Sequence, residues 1–184
     1  MNKYAFVCAV FLIGGCASLP QDPNAPPAAI VEASEKIMGF YEAPSPQVYA
    51  EIIAVKDASV QWAKENAPHG GAESIERSSR VFISFVWKKH GYSGSPYSEN
   101  VMNDTVAYIQ ELKVADPGEL DALWAAYFAT GDEQYLDKLV KAADSRNTCI
   151  AGAAKWSLDA NYHQRKSVRQ YFNQRPEKKK KIIK

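Results

Sequence analysis

The stretch "DPGELDALWAAYFATGDEQYLDKLVKAAD", Asp116 to Asp144, constrains the fold more than any other part of the chain. Leu120, Leu123, Trp124, Tyr127 and Phe128 recur at the i, i+3, i+4, i+7, i+8 spacing that aligns side chains on one helical face. Asp116 is placed to cap that helix, Pro117 suits its first position, and Glu119 follows the cap by three residues, as in a capping box. Gly131 ends the helix and Asp132 starts the next, whose apolar stripe is Tyr135, Leu136, Leu139, Val140 and Ala143. Two amphipathic helices joined by so short a turn bury their stripes by folding back on each other, which predicts an antiparallel αα-hairpin.

The rest of the body reads the same way. Helices are expected at about 30–40, 46–66 (with a break near Ser59), 72–90, 98–113, 148–160 and 163–173. The run "VFISFVW" is apolar nearly all round, and with Glu73, Glu76 and "KKHG" at its flanks it predicts a central buried helix. "YEAPSP", "NAPHGG" and "HGYSGSPYS" read as turns or loops. The expected fold is all-α, built from tandem antiparallel hairpins. Either a TPR-like α-solenoid or a compact helical bundle satisfies that pattern.

The amino terminus differs in kind. "MNKYAFVCAVFLIGGC" places Lys3 before an apolar run and then small residues, the layout of a secretory signal peptide too short to be a permanent membrane span. Its end, Ile13-Gly14-Gly15-Cys16, resembles the lipobox of bacterial lipoproteins, with Ile13 where leucine is more usual. The resemblance implies diacylglyceryl transfer to the Cys16 sulfur, cleavage between Gly15 and Cys16, and acylation of the new amino terminus. Several acyl chains exceed the two signals usually needed for stable anchoring. Residues 17–29 carry four prolines and no apolar periodicity, as a flexible tether does. The expected organisation is signal peptide 1–15, lipidated cysteine and tether 16–29, helical domain 30–174 and basic tail 175–184. Ala17 after the cysteine implies, by resemblance to enterobacterial sorting, the outer membrane facing the periplasm.

Two further resemblances concern the body. "AYFATGDEQYLDKLVKAA" resembles one tetratricopeptide unit, without the small residue expected near Leu136 or the closing proline. "LWAAYFATGDEQYL" followed by "AAKWSLDANYHQRKSV" is similar to a group of small bacterial proteins for which no activity is established. Leu123, Trp124, Gly131, Asp132, Trp156, Ser157, Leu158, Asn161, Gln164 and Val168 fit that pattern, and Arg165 stands in place of a histidine. Both resemblances imply helical pairs and carry no activity.

Charge and cysteines narrow the partners. From Arg175 on there are six basic residues against Glu177, while the mature body has 15 basic and 20 acidic side chains. An acidic body with a basic tail argues against nucleic acid as a partner. The tail "RPEKKKKIIK" reads as a solvated extension or as a contact for anionic envelope components. Once the leader is gone, Cys149 is the only thiol besides Cys16, and its place beside an apolar helix face predicts burial.

Motifs with a defined mechanism are missing from the sequence. His69, His90 and His163 lack metal-ligand spacing, "GYSGS" lacks the second glycine of a nucleophile elbow, and no phosphate-binding loop occurs. No cofactor is called for. His90, Tyr92 and Tyr97 around a Gly/Ser loop are candidates for a partner-binding rim, or belong to a plain connector. Glu73 and Glu76 with Arg77 and Arg80 read as a solvated salt-bridging face, and Trp124 and Trp156 as core. The function expected is therefore a lipid-anchored envelope protein that binds a protein or peptide, as adaptor, scaffold or immunity-type inhibitor. The alternative is a small envelope hydrolase with a dispersed site near residues 91–96, using His90, His163 and acidic neighbours.

Overall fold

The computed structural model describes residues 25–67 and 70–183. The leader, its cleavage site at Gly15 and Cys16, most of the tether, His69 and Lys184 lie outside the described residues. Nine helices and no strand occur among the described residues: α1 (Ala28–Gly39), α2 (Pro46–Asn66), α3 (Gly71–His90), α4 (Glu99–Glu111), α5 (Gly118–Thr130), α6 (Glu133–Ala142), α7 (Thr148–Gln164), α8 (Lys166–Asn173) and α9 (Pro176–Ile182). The all-α fold follows.

The central hairpin is punctuated much as its sequence predicts, except that α5 begins at Gly118 with Pro117, rather than Asp116, in the N-cap position. Glu119 Oε2 accepts from the Asp116 backbone N–H at 3.1 Å, and Asp116 Oδ1 accepts from that of Gly118 at 2.7 Å. Gly131 ends α5 at φ +71°, and Asp132 caps α6 by accepting from the Gln134 N–H at 3.0 Å. Ser45, Ser98 and Asn147 cap α2, α4 and α7 in the same way. α2 is unbroken: Ser59 donates its hydroxyl to the Val55 carbonyl within the helix instead of ending it.

α3 and α5 form the middle of the molecule. Val81–Val86 of α3 are all buried, as its all-round apolar run predicts, and so are Ala122–Ala129 of α5. α5 thus buries far more than the one stripe visible in its sequence, because four alanines on its other faces let neighbouring helices approach closely. α3 packs against α2, α4 and α5, while α5 also meets α1 and α6. One continuous core runs from Met38 to Ile182, with a small separate cluster of Ala63, Ala72 and Ile75 where α2 turns into α3.

Four further expectations are corrected. Cys149 is exposed, since the inward position of the first turn of α7 goes to Ile150. Trp156 is 43% exposed, because Ser157 takes the inner face of α7 and accepts from Trp124 Nε1 at 3.2 Å. α7 runs on to Gln164 rather than ending at 160, with Asn161 bonded inside it and the break at Arg165. The described part of the basic tail, 175–183, is neither frayed nor free: α9 buries Ile182, and Arg175, Lys178 and Lys181 pair with Glu133, Asp137 and Asp144.

Candidate functional site

Of the residues expected to form a rim, His90 and Tyr92 are brought together and Tyr97 is bonded elsewhere. His90 ends α3, and Gly91 at φ +67° turns the chain so that Tyr92 stacks on the imidazole, 5.1 Å between centroids. Phe40 meets the His90 ring edge-on at 6.1 Å, and Tyr92 lies on Tyr49 at 5.8 Å. Burial, aided by Lys89, lowers the His90 pKa, and its buried Nε2 has no hydrogen-bond partner. The ring acts as a packing element.

Tyr97 is brought to a different group. Its hydroxyl donates to Glu76 Oε1 at 2.9 Å, and Lys56 bonds Glu76 Oε2 at 3.2 Å while lying 5.7 Å from the Tyr97 ring. Burial, then the Glu76 carboxylate, pushes the Tyr97 hydroxyl up to about 12. Ser95, at the centre of the loop, lies 3.3 Å from the Tyr97 carbonyl oxygen and 3.0 Å from the Met102 sulfur. His163 pairs with Asp159 at 3.7 Å on α7. The 91–96 loop thus holds a packed aromatic corner in which, among the described residues, no bond joins Ser95 to a histidine. No group of histidine, cysteine or carboxylate side chains suited to a metal ion occurs among the described residues.

The charged face of α3 is where open space lies. Glu76 turns away to Lys56, while Arg77 and Arg80 point into a groove of about 480 Å³ between α3 and α4. That volume falls in the range of about 300–1,000 Å³ usual for ligand sites. α4 lends Val101, Asp104 and Tyr108, and Asp116 and Glu119 also line it. Val101 and Tyr108 are 40% and 53% exposed, and with Trp156 they are the large hydrophobic side chains left exposed among the described residues.

The groove's polar groups are unevenly satisfied. Tyr108 donates its hydroxyl to Glu119 Oε1 at 2.8 Å, and Glu119 Oε2 accepts from the N–H groups of Ala115 and Asp116. Burial raises the Glu119 carboxyl, but these bonds and the Arg77 charge outweigh it and hold the pKa below the usual value. Arg77 stands 3.9 Å from Asp116 Oδ1, a loose pairing. Arg80 Nε is buried without a hydrogen-bond partner. Such a groove offers guanidinium donors flanked by apolar surface, the combination enriched where proteins bind proteins. In the sequence Arg77 and Arg80 read as a solvated face; Val101 and Tyr108, apolar at i and i+7 but off the Met102, Val106 and Ile109 stripe of α4, are the signal for a groove. Comparison with protein-family models, curated proteins and solved structures gave no match.

Proposed function

We propose that this chain is a lipid-anchored cell-envelope protein whose helical domain captures an envelope protein or peptide in the groove between α3 and α4. The observation that carries the binding reading is the meeting of Val101 and Tyr108, both exposed, with Arg77 and Arg80 in one cleft. The anchoring reading rests on the apolar leader ending in Ile13-Gly14-Gly15-Cys16 and on the proline-rich segment after it. No helix among the described residues is long and apolar enough to cross a membrane.

The mechanism is tethering. A domain held at a membrane meets partners on the same surface at a raised effective concentration, so a groove of modest affinity suffices. An immunity-type or inhibitory role is one form of this mechanism.

Two measurements test the proposal. Cys16→Ser leaves the chain without acyl mass and releases it from the membrane fraction; a processed, membrane-bound Cys16→Ser protein sinks the anchor. A photocrosslinking residue at Val101 yields a partner adduct that Arg80→Gln weakens, whereas the same probe at Trp156 does not. Equal yields at both positions, unaffected by Arg80→Gln, sink the groove.

A further inference from the structure

A narrow cleft enters the bundle between α1, α3, α5 and α7 and shares no lining residue with the α3–α4 groove. Its inner space is about 40 Å³ and opens to solvent at the mouth. Met38, Phe82, Trp124 and Phe128 give it apolar walls, Trp124 and Phe128 being stacked at 5.5 Å. The space is slim. A volume this small favours a few methylenes over a bulkier body.

Asn161 also lines the cleft and is 4% exposed. Its Nδ2 donates to the Ser157 carbonyl at 2.9 Å, and because a carbonyl only accepts, this bond fixes which way the amide faces. Asn161 Oδ1 is therefore the atom left over, buried and without a hydrogen-bond partner. Three of the cleft's donors are already engaged. Ser78 Oγ donates to the Ser74 carbonyl at 2.7 Å, Ser157 Oγ to that of Ala154 at 3.1 Å, and Trp124 Nε1 to Ser157 Oγ at 3.2 Å. Ser79 adds a further hydroxyl to the lining, and Asn161 Oδ1 is the buried acceptor left unpaired in this apolar slot.

Charge selects further. Arg165, one helical turn beyond Asn161, brings its Nη2 to 2.8 Å from the Met38 sulfur, so positive charge stands at that end. Asp121 lines the cleft elsewhere with a carboxylate that accepts from the Ser74 hydroxyl. An ammonium group at Asn161 meets the arginine's repulsion, and a carboxylate has nothing to donate to Oδ1.

We propose that this cleft binds a slim, uncharged hydrogen-bond donor carried on an aliphatic chain, a straight-chain primary alcohol being its simplest form, with the hydroxyl donated to Asn161 Oδ1. The site is independent of the peptide groove.

The test is a nuclear magnetic resonance titration of the full chain carrying Cys16→Ser, with 1-butanol as probe. Saturable shifts of the Trp124 indole N–H and the Asn161 side-chain amide are expected. Methyl propyl ether, its isomer without a hydroxyl, is expected to bind at least tenfold more weakly, as are butylammonium and butyrate. Asn161→Leu removes the preference of alcohol over ether. Shifts that do not saturate, or an ether bound as tightly as the alcohol by the unsubstituted cleft, overturn the proposal without recourse to the variant.

Discussion

Gly131 and Gly91 show how one residue type serves two different needs. Both end a helix at positive φ, +71° and +67°, where any side chain carries a steric cost. A Cβ on Gly91 meets open space, whereas one on Gly131 falls 2.7 Å from Tyr41 Cδ2, in a ring that packs on Tyr127. We expect Gly91→Ala to cost about 1 kcal/mol and Gly131→Ala about 3 kcal/mol, the excess coming from the displaced aromatic pair. Urea denaturation of both variants checks this, and equal losses contradict the Tyr41 contact. The turn at Gly131 was legible because Gly-Asp between two periodic segments has a local cause. The Tyr41 contact was not, since it joins residues far apart in the chain. Cys149 and Trp156 were misread for a related reason: which side of α7 faces inward is decided by Trp124 and its need for Ser157, and the short apolar period of α7 is silent on that point.

At the scale of elements, α9 departs furthest from its sequence. A run of lysines reads as solvated, yet α6 and the turn after it present Glu133, Asp137 and Asp144 to receive Arg175, Lys178 and Lys181. Exposed ion pairs of this kind each contribute little, about 0–1 kcal/mol, whereas Ile182 is 3% exposed and closes the core. Burial of an aliphatic side chain therefore dominates the docking of α9. Ile182→Ala is expected to destabilise by about 2 kcal/mol and Lys181→Gln by a few tenths. Asp137 adds a pH dependence. Burial raises its carboxyl, but the bonds from Lys178 and Tyr171 prevail and its folded pKa is lowered. A lowered folded pKa contributes stability above the unfolded value, which is lost as pH falls through the folded one. Asp137→Asn should thus flatten the acid side of the stability profile, and thermal melts from neutral pH to about pH 3 measure it. An unchanged profile would mean that the α6–α9 contact is not held by this carboxylate.

Across the whole molecule, a hairpin array could have stacked in a line, each unit touching only its neighbours, or closed into a bundle. The local signals for both are identical, which is why helices and caps were readable and the closure was not. Closure is set by α5, whose buried alanines let it lie against α1 and α3 at once, and by Arg165 reaching Met38 from the far end of the chain. The α3–α4 groove was hidden for the same reason: α3 turns Glu76 to α2 and so leaves Arg77 and Arg80 facing α4. A linear array unfolds as a sum of repeats and neighbour contacts, whereas a bundle with one continuous core unfolds together. The small cluster of Ala63, Ala72 and Ile75 stands apart from that core, so the end of α2 is tied down by far less buried apolar surface. Hydrogen exchange discriminates these regimes. Amides at 81–86 and 122–129 should exchange only with global unfolding, at one common free energy, while those at 60–66 open locally at lower cost. Separate free energies for 81–86 and 122–129 would indicate a chain of loosely coupled hairpins, and protection at 60–66 equal to the core would remove the distinction between the two clusters.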